Sequence, residues 1–246
     1  MQTDALTDRL RRHLSRHPRM FRALRRGKVV GRYLLRMPHE PEFRVFPRLA
    51  DRPGLFLDVG GNSGQSAFSF RLVNRTDPIL SVEANPALEH DLRLARRILR
   101  GFNYTMCAAG PRNGRTTLYI PRRERVTVTG EASLEQDTAG SLLDGELTSV
   151  DEVEVTVRRL DDLGLDPAFV KIDVEADAID VLEGLRDTLT RSRPVLLIET
   201  SDRTSRGFRF LEERGYRPKV LEDGELCDWQ PGHHNTIFLP GPAAAS

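Results

Sequence analysis

One ten-residue stretch, LFLDVGGNSG from Leu55 to Gly64, restricts this chain more than any other. Leu55–Val59 is an apolar run broken only by Asp58, and it opens into a loop carrying Gly60, Gly61 and Gly64. A short apolar run entering glycines is how a buried strand feeds a ligand-binding turn of an α/β sheet. A dinucleotide loop would space its glycines G-x-G-x-x-G, and a phosphate loop would place Lys and Ser or Thr after the last glycine. Here the glycines stand first, second and fifth, and Gln65 follows. A carboxylate beside such a loop repels phosphate, so the loop asks for a positively charged ligand.

Downstream, strands and helices alternate. Ser63–Asn74 reads as a helix and Pro78–Glu83 as a second strand. Asn85-Pro86 then offers an N-cap and a proline at the first helical position. Leu88, Leu92, Ala95 and Leu99 line one face of that helix. Phe102–Ala108 is a third strand, and Thr116–Ile120 and Val153–Val157 alternate as strands around a polar segment, 121–149, that reads as a lid or insert. Phe169–Val174 is strand, Ile179–Leu189 helix, Pro194–Glu199 strand and Phe208–Arg214 a short helix. Tyr216–Leu221 and Asn235–Leu239 are late strands with no helix between them. The expected fold is α/β: a Rossmann-like, seven-stranded, mostly parallel sheet with an antiparallel edge strand and helices on both faces. Chemistry in such sheets gathers beyond the strands' carboxyl ends, here at Asp58, Glu83, Ala108, Asp173 and Glu199.

The formal net charge is only +1, yet residues 1–36 hold eleven Arg or Lys against Asp4 and Asp8. Such an arm can meet nucleic acid or an anionic membrane surface. Leu6, Leu10 and Leu14 at four-residue spacing, with Phe21, Leu24 and Leu34 beyond, read instead as an amphipathic helix capping its own body. Aromatic residues able to stack bases are few, only Phe21 and Tyr33, which argues against a nucleic-acid grip. Peripheral membrane contact through residues 1–36 stays open. A proline-punctuated connector reaches residue 53, dividing the chain into a basic arm and connector (1–53), a catalytic domain (54–240) and a disordered tail (241–246). No apolar run approaches the ~20 residues of a membrane span, and the N-terminus lacks the apolar core of a signal peptide. Cys107 and Cys227 make neither a zinc spacing nor a disulfide framework, which favours the cytoplasm.

S-Adenosylmethionine fits the loop, because it carries a sulfonium and an ammonium but no phosphate. Its ribose diol needs an acceptor at the end of the second strand, where Glu83 stands 19 residues beyond Gly64. Gly60, Gly61, Asn62 and Gly64 would let the backbone approach the methionyl end. Ala84, Ala108 and Asp173 stand at the neighbouring strand ends as further cofactor contacts. An acid at the second strand end also occurs in NAD sites, so a nicotinamide oxidoreductase is a distant alternative.

Four segments resemble the FkbM family of S-adenosylmethionine-dependent methyltransferases. LDVGGNSGQSAFSF (57–70) is similar to its first motif and VEANP (82–86) to its second. AAGPRNGRTTLYI (108–120) resembles the third strand end and the hairpin after it. RRLDDL (158–163) with FVKIDVEADAIDVLEG (169–184) resembles the family's most distinctive signature. The resemblance implies methyl transfer to an oxygen, most often a hydroxyl of a saccharide, glycan or other natural product. The signature usually reads glycine where this chain has Ala176 and an acid where it has Ala178. Those changes favour one alternative, a non-catalytic ligand-binding member of the fold. The basic arm favours another, an RNA-binding protein that methylates RNA.

A hydroxyl acceptor must lose its proton, so a base or a metal belongs near the methyl. Asp173 and Glu175 end the strand that should flank the cofactor, and Glu199 ends the next. Asp173 is the first choice of base, with Glu175 and His234 as further catalytic candidates, the latter following His233 before the last strand. Three carboxylates would also suit a divalent cation such as Mg²⁺, which is kept open but not favoured. The structural alternative pairs Glu175 and Glu199 with Lys171, Arg193 or Arg203, and packs Lys171 beneath a helix. Ser133 would reach the ligand if the polar segment closes, and Trp229 reads as a hydrophobic plug.

Overall fold

The computed structural model describes residues 18–49, 52–123, 126–127, 134, 149–174, 178–200 and 202–241. Leu6, Leu10, Leu14, Ser133, Glu175, Ala176, most of the expected lid and the tail beyond Gly241 lie outside the described residues.

In chain order the elements are α1 (Pro18–Leu34), two 3-10 turns (Pro41–Arg44 and Phe46–Arg48), β1 (Leu55–Val59), α2 (Gln65–Val73) and β2 (Ile79–Glu83). Next come α3 (Glu89–Ile98), β3 (Phe102–Met106), β4 (Ala108–Ala109), β5 (Gly114–Arg123), β6 (Val126–Thr127), β7 (Ser149–Arg158) and β8 (Pro167–Ile172). The chain closes with α4 (Ile179–Gly184), α5 (Arg186–Ser192), β9 (Val195–Glu199), α6 (Arg206–Glu212), β10 (Tyr216–Glu222), β11 (Glu225–Asp228) and β12 (Asn235–Pro240).

The main sheet has eight strands in the order β11-β10-β12-β9-β8-β1-β2-β3. The β9-β8-β1-β2-β3 half is parallel, and β12, β10 and β11 add antiparallel pairings. The α/β class is as expected, but seven strands become eight and the antiparallel edge holds three. The extra strand is β11, which folds back through Asp223 and Gly224, both at positive φ (50° and 85°). Asp-Gly at two left-handed positions is the signature of a two-residue hairpin turn. A second sheet, β4-β7-β5-β6, is built on a long antiparallel ladder from Gly114 opposite Val157 to Arg122 opposite Ser149. The helix expected over 179–189 is two helices meeting at Leu185.

Period-two alternation divides the core. Leu57 and Val59 of β1, with Val170 and Ile172 of β8, face the layer containing Leu182, Leu185, Leu189 and Phe208. Phe56 and Phe169 face the opposite layer, with Phe70 of α2 and Leu92 and Ala95 of α3. Phe43 and Phe46, from the proline-punctuated connector, belong to that second layer. Phe46 stacks on Phe169 at 5.1 Å, and Phe56 on Phe70 at 4.3 Å. Complete burial of a phenylalanine contributes about 1.5–3 kcal/mol, so residues 41–48 are core rather than linker. The boundary expected near Gly54 thus cuts through packed structure.

Asn85 accepts the Ala87 N–H at 3.0 Å, and Pro86 follows, giving the expected capped start as a 3-10 turn leading into α3. Helix α1 docks on the body through Arg25 and Arg26, both paired with the buried Asp91 of α3, and through Tyr33, set edge-on against Phe68 at 5.2 Å. Among the described residues no helix is long and apolar enough to cross a membrane.

Candidate active site

Strand β1 carries Asp58 and the glycine loop to the centre of the sheet, between β2 and β8. Its register places Asp58 beside Ser81 on β2 and Lys171 on β8. Asp58 is 0% exposed, accepts the Ser81 hydroxyl at 2.7 Å, and has a second oxygen, Oδ1, with no hydrogen-bond partner. Burial pushes its carboxyl up to about 6 against the pull of Lys171. The sequence reading set Asp58 against a ligand. The structure instead turns it under the loop, because alternation along β1 points residues 56 and 58 at the α2 layer.

The loop glycines are required by close approach to the neighbouring strand ends. Gly60 has φ +84°, and a Cβ there would stand 1.8 Å from the Asp173 carbonyl oxygen. A Cβ on Gly61 would stand 2.7 Å from that of Ser81. Gly64, at φ +85°, turns the chain into α2. Gly60→Ala is therefore expected to destabilise the protein by more than the ~1–2 kcal/mol of a left-handed residue and to displace the turn at Asp173. An unchanged thermal midpoint together with unchanged donor binding would contradict this.

Asn62, itself left-handed at φ 45°, donates its backbone N–H to Glu83 Oε2 at 2.7 Å, and Asn85 donates its own to Oε1 at 2.7 Å. Glu83 is thus fixed at the β2 tip and ties the loop to it. Burial pushes its carboxyl up to about 7, opposed by the Asn85 and Asn62 N–H groups. An ionised carboxylate offers about four acceptor positions. The Asn62, Asn85 and Ala84 backbone N–H groups use part of that capacity, and what is left can accept from a sugar diol. Ala84 follows Glu83 and packs with the buried cluster of Ala108, Leu118, Ile120 and Val155. Ala108 sits in β4, where the chain has left β3 for the second sheet.

Sequence reasoning missed much of an ion chain on β8. Lys171 is 1% exposed, with Nζ 2.6 Å from Asp173 Oδ2 and 3.3 Å from Glu40 Oε1. Burial alone would lower its pKa, but Glu40, Asp173 and Asp58 outweigh it and raise it. Glu40 is also 3.0 Å from His39 Nε2. Asp173 would be raised by burial, yet Lys171 and a hydrogen bond with Glu199 hold it below the ordinary carboxylate range. Glu199 Oε1 lies 2.8 Å from Nε2 of His234, whose side chain is 78% exposed. Asp173, Glu199 and His234 thus form one connected path from the loop to solvent. Among the described residues, no group of three or more His, Cys, Asp or Glu side chains could hold a metal ion. The lysine inside the apolar run AFVKI was the available signal; Glu40, far off in sequence, left none. Trp229 packs edge-on against Phe208 at 5.4 Å, half-buried beside the core.

The family model of the methyltransferase FkbM domain matches residues 58–218, from the acid of β1 through β8, β9 and into β10. The chain belongs to the FkbM methyltransferase family. The solved methyltransferase FkbM from Methylobacillus flagellatus KT is 18% identical, with a TM-score of 0.49, over 81% of this chain and 50% of that one. This chain therefore matches half the length of that FkbM protein. Precorrin-6y C5,15-methyltransferase from Geobacter metallireducens GS-15 is 14% identical, covering 80% and 83% of the two chains with a TM-score of 0.41. Fibrillarin from Aeropyrum pernix, solved with natively bound S-adenosyl-L-methionine, is 14% identical over 80% and 72%, with a TM-score of 0.40. The search of the curated proteins gave no match.

Proposed function

We propose that this FkbM-family protein transfers a methyl group from S-adenosylmethionine to a hydroxyl of a saccharide or other natural product. The observation that carries the reading is Glu83, held at the β2 tip by backbone N–H groups of Asn62 and Asn85 with acceptor capacity to spare. The donor supplies an electrophilic methyl on a sulfonium. Glu83 takes the ribose hydroxyls, and the Gly60–Gly64 backbone bounds the methionyl end. Asp173, at the β8 tip beside Gly60, takes the acceptor proton. As the oxygen–methyl bond forms and the methyl–sulfur bond breaks to leave neutral S-adenosylhomocysteine, the attacking oxygen becomes strongly acidic, so a carboxylate held below its usual range would still serve as base. Glu199, the donor of the hydrogen bond to Asp173, gives its own proton to the exposed His234 and takes up the one that Asp173 has accepted.

Calorimetry with the donor and with S-adenosylhomocysteine tests the cofactor, and methyl incorporation into a library of hydroxyl compounds tests the reaction. Failure of the pure, folded protein to bind either nucleoside would remove the reading. Binding without turnover would favour the non-catalytic alternative.

The pKa of Glu83 sets a pH dependence. Its folded value, about 7, lies above the ordinary 4.5. The unliganded fold therefore keeps that proton longer than the unfolded chain, and this contribution to stability is lost as pH rises through about 7. A diol binds the ionised form, so affinity moves the other way. S-Adenosylhomocysteine should bind about tenfold more tightly at pH 8 than at pH 6, and Glu83→Gln should flatten that profile. A flat wild-type profile would contradict the ribose assignment.

A further inference from the structure

Between α1 and α2 lies a cavity of about 240 Å³ whose lining differs in charge from the strand tips. Arg25, Lys28, Val29, Arg32 and Tyr33 face it from α1, at the i, i+3, i+4, i+7, i+8 spacing of one helical stripe. Asn62 and Ser63 of the glycine loop and Gln65, Phe68, Ser69 and Leu72 of α2 form the opposite wall. His39 and Met37 complete it, and among the described residues no carboxylate lines it. An inward stripe normally carries apolar side chains, so the half-buried guanidiniums of Arg25 and Arg32 need partners, while Lys28 reaches the rim from an exposed position. Arg25 has one in Asp91. Arg32 spends one Nη on the Pro38 carbonyl at 3.2 Å and keeps a buried Nε with no hydrogen-bond partner. Lys28 makes no ion pair with another described residue.

We propose that this cavity binds the acceptor through an anionic group, a phosphate or carboxylate held by Lys28 and Arg32. The body of the acceptor lies against Val29, Tyr33, Phe68 and Leu72. The assignment deepens the methyl-donor reading and rests on it only in calling the bound anion an acceptor. The glycine loop is shared by the two sites: the Asn62 backbone N–H holds Glu83, and Asn62 also lines the cationic cavity, so the acceptor site adjoins the donor site at this loop. The Gln65 side-chain amide N–H supplies a neutral donor beside the cations, whereas the Ser63 and Ser69 hydroxyls already donate to Gln65 Oε1 and to the Gln65 carbonyl.

Calorimetry on the full chain with phenyl phosphate, benzoate and the neutral phenyl β-glucoside tests this, each with and without saturating S-adenosylhomocysteine. At least one of the two anions is expected to bind under both conditions, and which one does separates phosphate from carboxylate. The glucoside should bind roughly tenfold more weakly or not at all. Lys28→Gln with Arg32→Gln should weaken the anion roughly tenfold or more and change S-adenosylhomocysteine affinity by less than about twofold. Lys28 is exposed, so Lys28→Gln alone provides the same reading should the double variant fail to fold. Anions that bind no better than the glucoside, or no worse to the variants, would overturn the site. If S-adenosylhomocysteine displaces phenyl phosphate and the variants lose both, the cations hold the donor's own carboxylate and the acceptor assignment falls. Wild-type protein that takes phenyl phosphate but no S-adenosylhomocysteine would overturn the donor reading and uphold the anion site.

Discussion

Lys171→Met is expected to destabilise the protein by about 3–5 kcal/mol, the usual cost of removing one partner from a buried ionic group. The ammonium is 1% exposed and faces Asp58, Glu40 and Asp173, so the variant leaves three carboxylates crowded without a countercharge. Methionine matches the lysine stem closely in volume, which keeps packing loss small. Urea unfolding measures the loss, and Lys171→Met with Asp58→Asn separates charge from shape. The double variant should recover part of the stability, since the buried carboxylate with an unpartnered oxygen is gone. The gap between wild type and Lys171→Met should also narrow as acid protonates the carboxylates. A loss below about 1 kcal/mol would show that the ammonium is not the electrostatic centre of this cluster.

Asp173→Asn is expected to lower methyl transfer by roughly 10²–10⁴-fold, the range for a positioned general base. An amide keeps the shape of the side chain but cannot accept the acceptor's proton. The same substitution removes the Lys171 partner at 2.6 Å, so stability and S-adenosylhomocysteine affinity must be measured alongside turnover. Retained nucleoside affinity with lost turnover identifies a base. His234→Ala, at the solvent end of the path, should lower turnover far less and do so most where buffer is dilute, because buffer replaces an exposed proton outlet. Full turnover by Asp173→Asn would place the base elsewhere.

Much of this site could be read from residue order because strand ends follow local patterns. The run into Gly60, the acid at Glu83 and the Asn85-Pro86 cap each carry their signal within a few residues, and the parallel sheet follows from their alternation. What escaped depends on pairing across the chain. Asp58 reads as a ligand-facing acid until the register sets it beside Lys171 and Ser81, under the loop. Glu40 and His39 lie in a proline-rich stretch that resembles a linker, and only folding brings them to β8. Strand β11 was legible in principle, since Asp223-Gly224 is a strong local turn signal. The second sheet was half visible: the alternation of β5 and β7 showed two strands but not which edge would receive them.

The placement of Phe43 and Phe46 bears on how this protein can be handled in pieces. A recombinant fragment started at Gly54 would unroof Phe56 and Phe169 and deprive the Lys171 ammonium of Glu40, laying bare apolar surface that promotes aggregation. Cloning limits, fusion joints and protease-trimming sites all belong upstream of Pro38.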